Sequence, residues 1–218
     1  ETDSSSGVSA LHVVYSMLAS GMFKNALIVG TEIMSKLSRE ESNLVLGSVL
    51  SDRMRNFSMS MAQGAALITT RYLQDYNYRR EDLFYIAKKL HDNGFENPNA
   101  HIKKKITEED YKQAPIFSEP LGLYDISPLS DGSASLVLSA EAKSDIQIRG
   151  IGHGLGEFKT VNLGTSFPSS LAAYKKAYEM AHLKPSDIQI AELHDAFTTF
   201  EIIGAEDAGL FPKGHALN

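Results

Sequence analysis

Val8-Ser-Ala-Leu-His-Val-Val-Tyr-Ser-Met-Leu-Ala-Ser-Gly21, followed after a short turn by Ala26-Leu-Ile-Val-Gly30, decides the fold class. Val8, Leu11, Val14, Tyr15 and Leu18 recur at the helical period. Gly21 stands where a helix C-cap glycine belongs, and Asp3 or Ser4 can cap a start near Ser5. The apolar run Ala26–Gly30 reads as a buried strand. A second unit with similar wording, Leu171 to Leu193, hints at an internal duplication. Helices alternating with short apolar strands predict a layered α/β fold.

Outward from that stretch, residues 35–58 are polar with glycines, serines and methionines, and read as loop. The pattern predicts helices over Met59–Tyr72, with an alanine-rich face, and Glu81–Asp92, ended by Asn93-Gly94. Thr107 is placed to cap a short helix over Glu108–Gln113, stopped by Pro115. Asp131-Gly132 is a turn, and Ser133–Ser139 and Ile146–Arg149 read as strands. Ser169 or Ser170 starts a helix reaching about His182, Leu183–Asp187 turns, Ile188–Glu192 reads as a strand, and a helix covers Phe197–Ala208.

The chain has 218 residues, 43% hydrophobic, which is enough for a real core. A formal net charge of −6 gives no general attraction to phosphate backbones, so nucleic acid is a poor first partner. There is no cysteine, which excludes disulfides and thiolate metal sites. No apolar run is long enough for a membrane span, and Glu1-Thr-Asp-Ser-Ser-Ser-Gly7 is not a signal peptide. Both ends read as cuts within a longer chain.

Two residues stand out for chemistry. Ser4 lies at an expected helix N-terminus, where free amides and the helix dipole stabilise an anion; it is either an assisted nucleophile or, in the ordinary reading, a cap. His194 follows an apolar strand and precedes a helix, the position at which α/β folds place sites, with Asp195 and Glu192 near enough to orient it; a structural histidine is the alternative. Glu32, directly after a strand, should find a partner, as a structural hub or a site residue. Tyr124-Asp125 and Ser130-Asp131 read as turns able to bind through polar groups. His12, His91, His101, His153, His182 and His215 lack metal-ligand spacing. Gly150, Gly152, Gly154 and Gly156 alternate with other residues, which fits a phosphate-cradling loop or a strand allowing close backbone approach; no helix follows directly, so a dinucleotide fingerprint is disfavoured.

Ala26-Leu-Ile-Val-Gly-Thr-Glu-Ile-Met-Ser35, Tyr124-Asp-Ile-Ser-Pro-Leu-Ser-Asp-Gly-Ser-Ala134 and Ala191-Glu-Leu-His-Asp-Ala-Phe197, in that order and spacing, resemble the thiolase superfamily, most closely its archaeal and sterol-carrier-protein-2-type branch. The resemblance implies a thiolase-like fold, a layered α/β/α/β/α sandwich of two similar halves, of which this chain would be a fragment. Residues 1–32 would end the N-terminal half, 33–123 form its loop domain, 124–150 supply its last strands, and 151–218 start the C-terminal half. It also implies thiolysis of 3-ketoacyl-CoA or Claisen condensation of acyl-CoA, with coenzyme A thioester as substrate and no covalently bound cofactor. The expected setting is a cytoplasmic homodimer or homotetramer, or a subunit scaffolding a partner acyltransferase. Ser4 falls where the family has its nucleophilic cysteine, and His194 falls on the motif histidine that polarises the thioester carbonyl. Gly214-His215-Ala216 does not match the family's second histidine motif. The 218 residues alone are therefore expected not to turn over.

Overall fold

In the computed structural model, which describes residues 3–156 and 163–217, the opening helical pattern is α1, Ser6–Ala19, entered through a 3-10 turn at Asp3–Ser5. The expected cap is corrected: the capping position is Ser5, without a side-chain cap bond. Gly21 closes the helix at φ 76°, with Gly21 N donating to Leu18 O and Met22 N to Met17 O, both at 3.0 Å.

β1, Asn25–Glu32, pairs antiparallel with a strand far along the chain, Gly132–Ser139, in a register running from Asn25↔Ser139 to Glu32↔Gly132. The expectation that β1 is buried is corrected: Leu27 is 63% and Val29 60% exposed. α1 packs against β1, but a two-stranded ribbon has no further strand beside it among the described residues.

Residues 35–58 are not loop. They carry α2, Arg39–Gly47, and α3, Asp52–Asn56. Ser38 and Glu41 form a reciprocal capping box, and Ser51 accepts from Met54 N. α4, Met61–Tyr76, starts on another box, Ser60 with Gln63. α5, Phe84–Glu96, runs through Asn93-Gly94 rather than ending there; it stops at Asn97, which is extended because Pro98 follows. α6, Glu108–Gln113, is capped by Thr107 as expected. β2, Ile116–Ser118, and β3, Leu121–Gly122, form a small hairpin ladder. β4 is the Gly132–Ser139 strand.

Among the described residues, the apolar runs Ile146–Arg149 and Ile188–Glu192 are extended but belong to no ladder. Apolar alternation supplies one face of a strand, and without a partner its backbone has nothing to pair with; Ile146 and Ile190 are 86% and 85% exposed. Gly150–Gly156 lies along α7, Pro168–Ala181. That helix begins with Pro168 at its first position, not with a serine cap, and ends at His182 in the left-handed region. α8, Thr198–Asp207, completes the chain's helices.

The core lies between α4, α5 and α8, with Tyr72, Leu83, Ala87, Ile106, Tyr111, Ile202 and Ile203 all buried. Small residues let α4 approach α8: Ala65 and Ala66 are buried there, and Thr69 Oγ1 bonds Thr199 Oγ1 at 3.0 Å. The buried carboxylate of Glu206 accepts from Tyr72 OH (2.5 Å), His215 N (3.1 Å) and Ala216 N (3.2 Å), tying the end of the chain to α4. Lys213 pairs with Asp207 at 2.7 Å on the same side.

Candidate functional site

Three segments singled out in the sequence converge. Asp131 binds Ser35 with both oxygens, Oδ1 accepting from the backbone N at 2.8 Å and Oδ2 from the hydroxyl at 2.6 Å. That joins the end of β1 to the turn before β4. Those two bonds also hold the Asp131 carboxyl below its ordinary value. Ile126 makes a β-bridge with Phe197, and Ser127 N donates to Ala196 O at 3.0 Å, which joins the Tyr124 segment to the His194 segment.

Asp125 is the buried clasp of that second junction. Its carboxylate accepts from Tyr111 OH (2.7 Å), Gly122 N (2.8 Å) and Thr198 Oγ1 (3.1 Å). Burial pushes its pKa up, and the three donors oppose the shift. The first turn of α8 is thereby fixed to β3 and α6, and the two residues that the sequence reads as a simple turn, Tyr124-Asp125, anchor the site.

His194 lies just before this anchored stretch. It is exposed, with its ring 6.2 Å from that of Phe200. Asp195 lines a cavity of about 700 Å³ with Leu90, Ile102, Phe117, Leu123 and Ile126. His91, His101 and Lys104 stand on the same wall. A larger cavity, about 1080 Å³, runs between the end of α1 and residues 137–148, away from these motif residues.

Ser4 is exposed in the 3-10 turn that leads into α1, one residue before its capping position. No hydrogen bond joins Ser4 to His194 among the described residues, and the two sit on different elements. Glu32 is corrected as a hub: it is exposed, and its Oε1 accepts only from the adjacent Ile33 N at 2.9 Å. Ser130 Oγ contacts His101 Nδ1 at 2.6 Å. His12 and His153 meet edge to face, ring centres 5.8 Å apart, a pairing that no spacing in the sequence points to. Among the described residues no group of three or more His, Asp or Glu could hold a metal ion.

The alternating glycines take the close-approach reading. A methyl on Gly152 would lie 2.8 Å from the Ala173 carbonyl carbon, and one on Gly154 2.9 Å from that of Ser169. They are seats for a helix backbone rather than a phosphate cradle.

Sequence reasoning missed Lys89 and Glu201, an ion pair from α5 to α8. Burial holds the Lys89 ammonium below its ordinary value, while Asp195 and Glu192 act in the opposite sense. One clue was legible: Glu201 lies seven residues after His194, in the helix that the motif begins.

A family model described as thiolase, N-terminal domain, matches residues 1–142, and one described as thiolase C-terminal domain-like matches residues 162–218. An acetyl-CoA acetyltransferase of Methanocaldococcus jannaschii is 30% identical over 228 residues, covering 99% of this chain and 57% of that protein. The benzoylsuccinyl-CoA thiolase subunit BbsB of Thauera aromatica is 26% identical over 227 residues, covering 100% of this chain and 58% of that one. The chain thus spans about half the length of the curated relatives it matches. Among solved structures, the Ltp2-ChsH2(DUF35) aldolase superposes with a TM-score of 0.80 at 22% identity, covering 97% of this chain and 58% of the other, a likeness of fold. The α/β class expected from the opening stretch is borne out by this match. Among the described residues no helix is long and apolar enough to cross a membrane.

Proposed function

The chain belongs to the thiolase family, and from that premise we propose that it is the acyl-CoA-handling part of a thiolase-type acyltransferase. Its substrates are acetyl-CoA or 3-ketoacyl-CoA, joined by Claisen condensation or split by thiolysis. The observation that carries the reading is the double junction, Ser35 with Asp131 and Asp125 with Thr198. It brings the three segments of the family resemblance into one framework, with Asp195, the residue after His194, lining a cavity.

In this reading His194 donates a hydrogen bond to the thioester carbonyl oxygen, where negative charge develops as the carbonyl carbon becomes tetrahedral. Ser4 occupies the nucleophile position beside the first amides of α1, which stabilise an oxyanion. Acyl transfer to Ser4 would form an Oγ–carbonyl bond, break the carbon–sulfur bond, and move the hydroxyl proton to the departing CoA sulfur. The substrate is the CoA thioester itself, with no covalently bound cofactor. Residues 1–32 and 124–150 belong to one half of the fold, 33–123 to its loop domain, and 151–218 to the other half. The protein works in the cytoplasm as a homodimer or homotetramer.

A second reading is favoured by one observation: a chain without cysteine carries serine where the family resemblance expects the nucleophile. Serine ionises far less readily than a thiol, whose pKa is about 8.5. The chain would then be a non-catalytic acyl-CoA-binding subunit that scaffolds a partner enzyme. The fold likeness to a two-component aldolase is compatible with that arrangement.

Intact mass spectrometry with acetyl-CoA, together with calorimetric titration, separates the two. An acetyl group mapped to the peptide carrying Ser4 supports acyl transfer. Saturable binding without an adduct supports the scaffold. No binding of any CoA thioester overturns both.

A further inference from the structure

The cavity beside the His194 segment is apolar along most of its wall, with Leu90, Ile102, Phe117, Leu123 and Ile126, and at about 700 Å³ it is far larger than an acetyl group needs. One cation stands on that wall. Residues 103–105 are three successive lysines, and the chain sends them to different places. Lys103 Nζ donates to Pro98 O at 2.6 Å. Lys105 lies over the Phe95 ring at 4.7 Å and 3.5 Å from Glu96. Only the middle one, Lys104, lines the cavity, its Nζ donating to Tyr124 OH at 2.9 Å.

Lys104 is not used up by that bond. An ammonium has three donors. Asp110 Oδ1 forms a long ion pair with it at 3.9 Å, beyond hydrogen-bond reach, while Asp110 Oδ2 accepts from Thr107 N and Thr107 Oγ1 at 2.9 and 2.7 Å. Of the two carboxylates on the cavity wall, Asp125 is filled by three donors, and Asp195 lies in the field of Lys89. His91 bonds Lys104 O and His101 bonds Ser130 Oγ, both at 2.6 Å, which fixes the rim around the ammonium. The hydrogen bond that Lys104 donates to Tyr124 also favours the charged form of Lys104.

We infer that this cavity takes the acyl end of a CoA thioester that bears a distal carboxylate, with the apolar chain along Leu123 and Phe117 and the carboxylate on Lys104. The inference rests on the CoA-thioester reading and narrows it to ω-carboxyacyl substrates. Lys104 is then a specificity-determining residue rather than a catalytic one.

Calorimetric titration of the 218-residue protein with acetyl-CoA, octanoyl-CoA, suberyl-CoA and free suberate tests it. Suberyl-CoA is expected to bind tighter than octanoyl-CoA. Lys104→Met, which keeps the apolar stem, should weaken suberyl-CoA by about 2- to 5-fold, the range for an ion pair at a half-exposed ammonium, and leave octanoyl-CoA unchanged. Leu123→Trp, which fills the cavity, should weaken both long thioesters and spare acetyl-CoA. Equal affinity for suberyl-CoA and octanoyl-CoA, with no effect of Lys104→Met, overturns the inference while leaving the CoA reading intact. Lys104-dependent binding of free suberate without binding of any thioester supports the cavity assignment and rejects the CoA reading. Binding of acetyl-CoA alone rejects the cavity assignment.

Discussion

Gly152→Ala should destabilise the protein, whereas Gly156→Ala, in the same run of glycines, should not. Four helical residues rise about 6.0 Å and two extended residues about 6.6 Å, so an extended segment can seat every second residue against every fourth residue of a helix. That is the match seen here: Gly154, Gly152 and Gly150 lie against Ser169, Ala173 and Ala177 of α7. A methyl on Gly152 would stand 2.8 Å from the Ala173 carbonyl carbon and 3.0 Å from Ala177 N, with the Ala173 oxygen nearer still. These are backbone atoms of a helix and cannot turn aside, so the segment or the helix must shift. Such overpacking costs about 1–3 kcal/mol. The lower entropy of an unfolded alanine chain returns about 0.4–1 kcal/mol, leaving a net loss of roughly 0–2.6 kcal/mol, toward the upper end where the clash is with helix backbone. At Gly156 the nearest atom to the added methyl is the Ser169 side chain at 3.7 Å, an ordinary contact, so only the favourable entropic contribution remains. Urea unfolding with a common slope gives both values, and a thermal melt should fall by about 2–4 °C per kcal/mol lost. Equal midpoints for Gly152→Ala and Gly156→Ala would refute the seating of this segment on α7. Gly150→Ala and Gly154→Ala, with nearest neighbours beyond the carbonyl oxygen at 2.9 Å, should behave like Gly152→Ala.

Tyr72→Phe removes the donor to a fully buried Glu206 carboxylate and should cost about 1.5–3 kcal/mol in urea unfolding, the range for a hydrogen bond to a charged group. Amide exchange at His215 and Ala216, whose N–H groups share that carboxylate, should quicken in the same variant; unchanged exchange would mean the tail is held by something else. Asp125 titrates with its pKa above the ordinary 3.8, so its protonated form favours the folded state, a contribution present at low pH and lost as pH rises through the folded pKa. The stability difference between the parent and Asp125→Asn should therefore shift in favour of the parent as pH falls from 7 toward 4, and a shift the other way contradicts the burial-driven assignment. Ser4→Cys would introduce the chain's sole thiol near the start of α1, and iodoacetamide should label it faster at pH 7 than a free cysteine peptide. Equal rates would show that this helix end lends the position no activation.

What the sequence made legible was local. Gly21, Thr107 and the apolar period of α1 each act through neighbours a few residues away, and each came out as read. Ser38-x-x-Glu41 is equally local and equally legible, yet it stands in the polar, methionine-rich stretch 35–58, whose composition reads as loop and masks α2. The strands failed differently. Ile146–Arg149 and Ile188–Glu192 have strand composition, but a strand exists only with a partner, and pairing is set by the whole chain. The site divides along the same line. His194 was found because a motif surrounds it. Lys89 and Glu201 are 112 residues apart, Asp131 and Ser35 are 96 apart, and no spacing rule connects them.

The placement of His194 is inherited rather than direct. The extended segment before it makes no ladder, and its ring has Phe200 as its aromatic neighbour. The fixed points begin two residues later, at Ala196, Phe197 and Thr198, held by Ser127, Ile126 and Asp125. Lys89 adds a fourth hold one turn further along α8, through Glu201. A group that must meet a developing oxyanion needs to be positioned to within about 0.5 Å. On the role proposed for His194, that precision passes through the backbone from α8, so the residues that govern it are the ones buried behind the site. Asp125 is the most exacting of them, because it binds α6, β3 and α8 at once: removing it frees three donors in a buried space. The two core clusters then explain why the junction is built where it is. Tyr111 belongs to one and Leu121 and Phe197 to the other, and Asp125 is a polar link between them, so packing on the Tyr111 side reaches the His194 segment through this carboxylate, while packing around Phe197 reaches it directly.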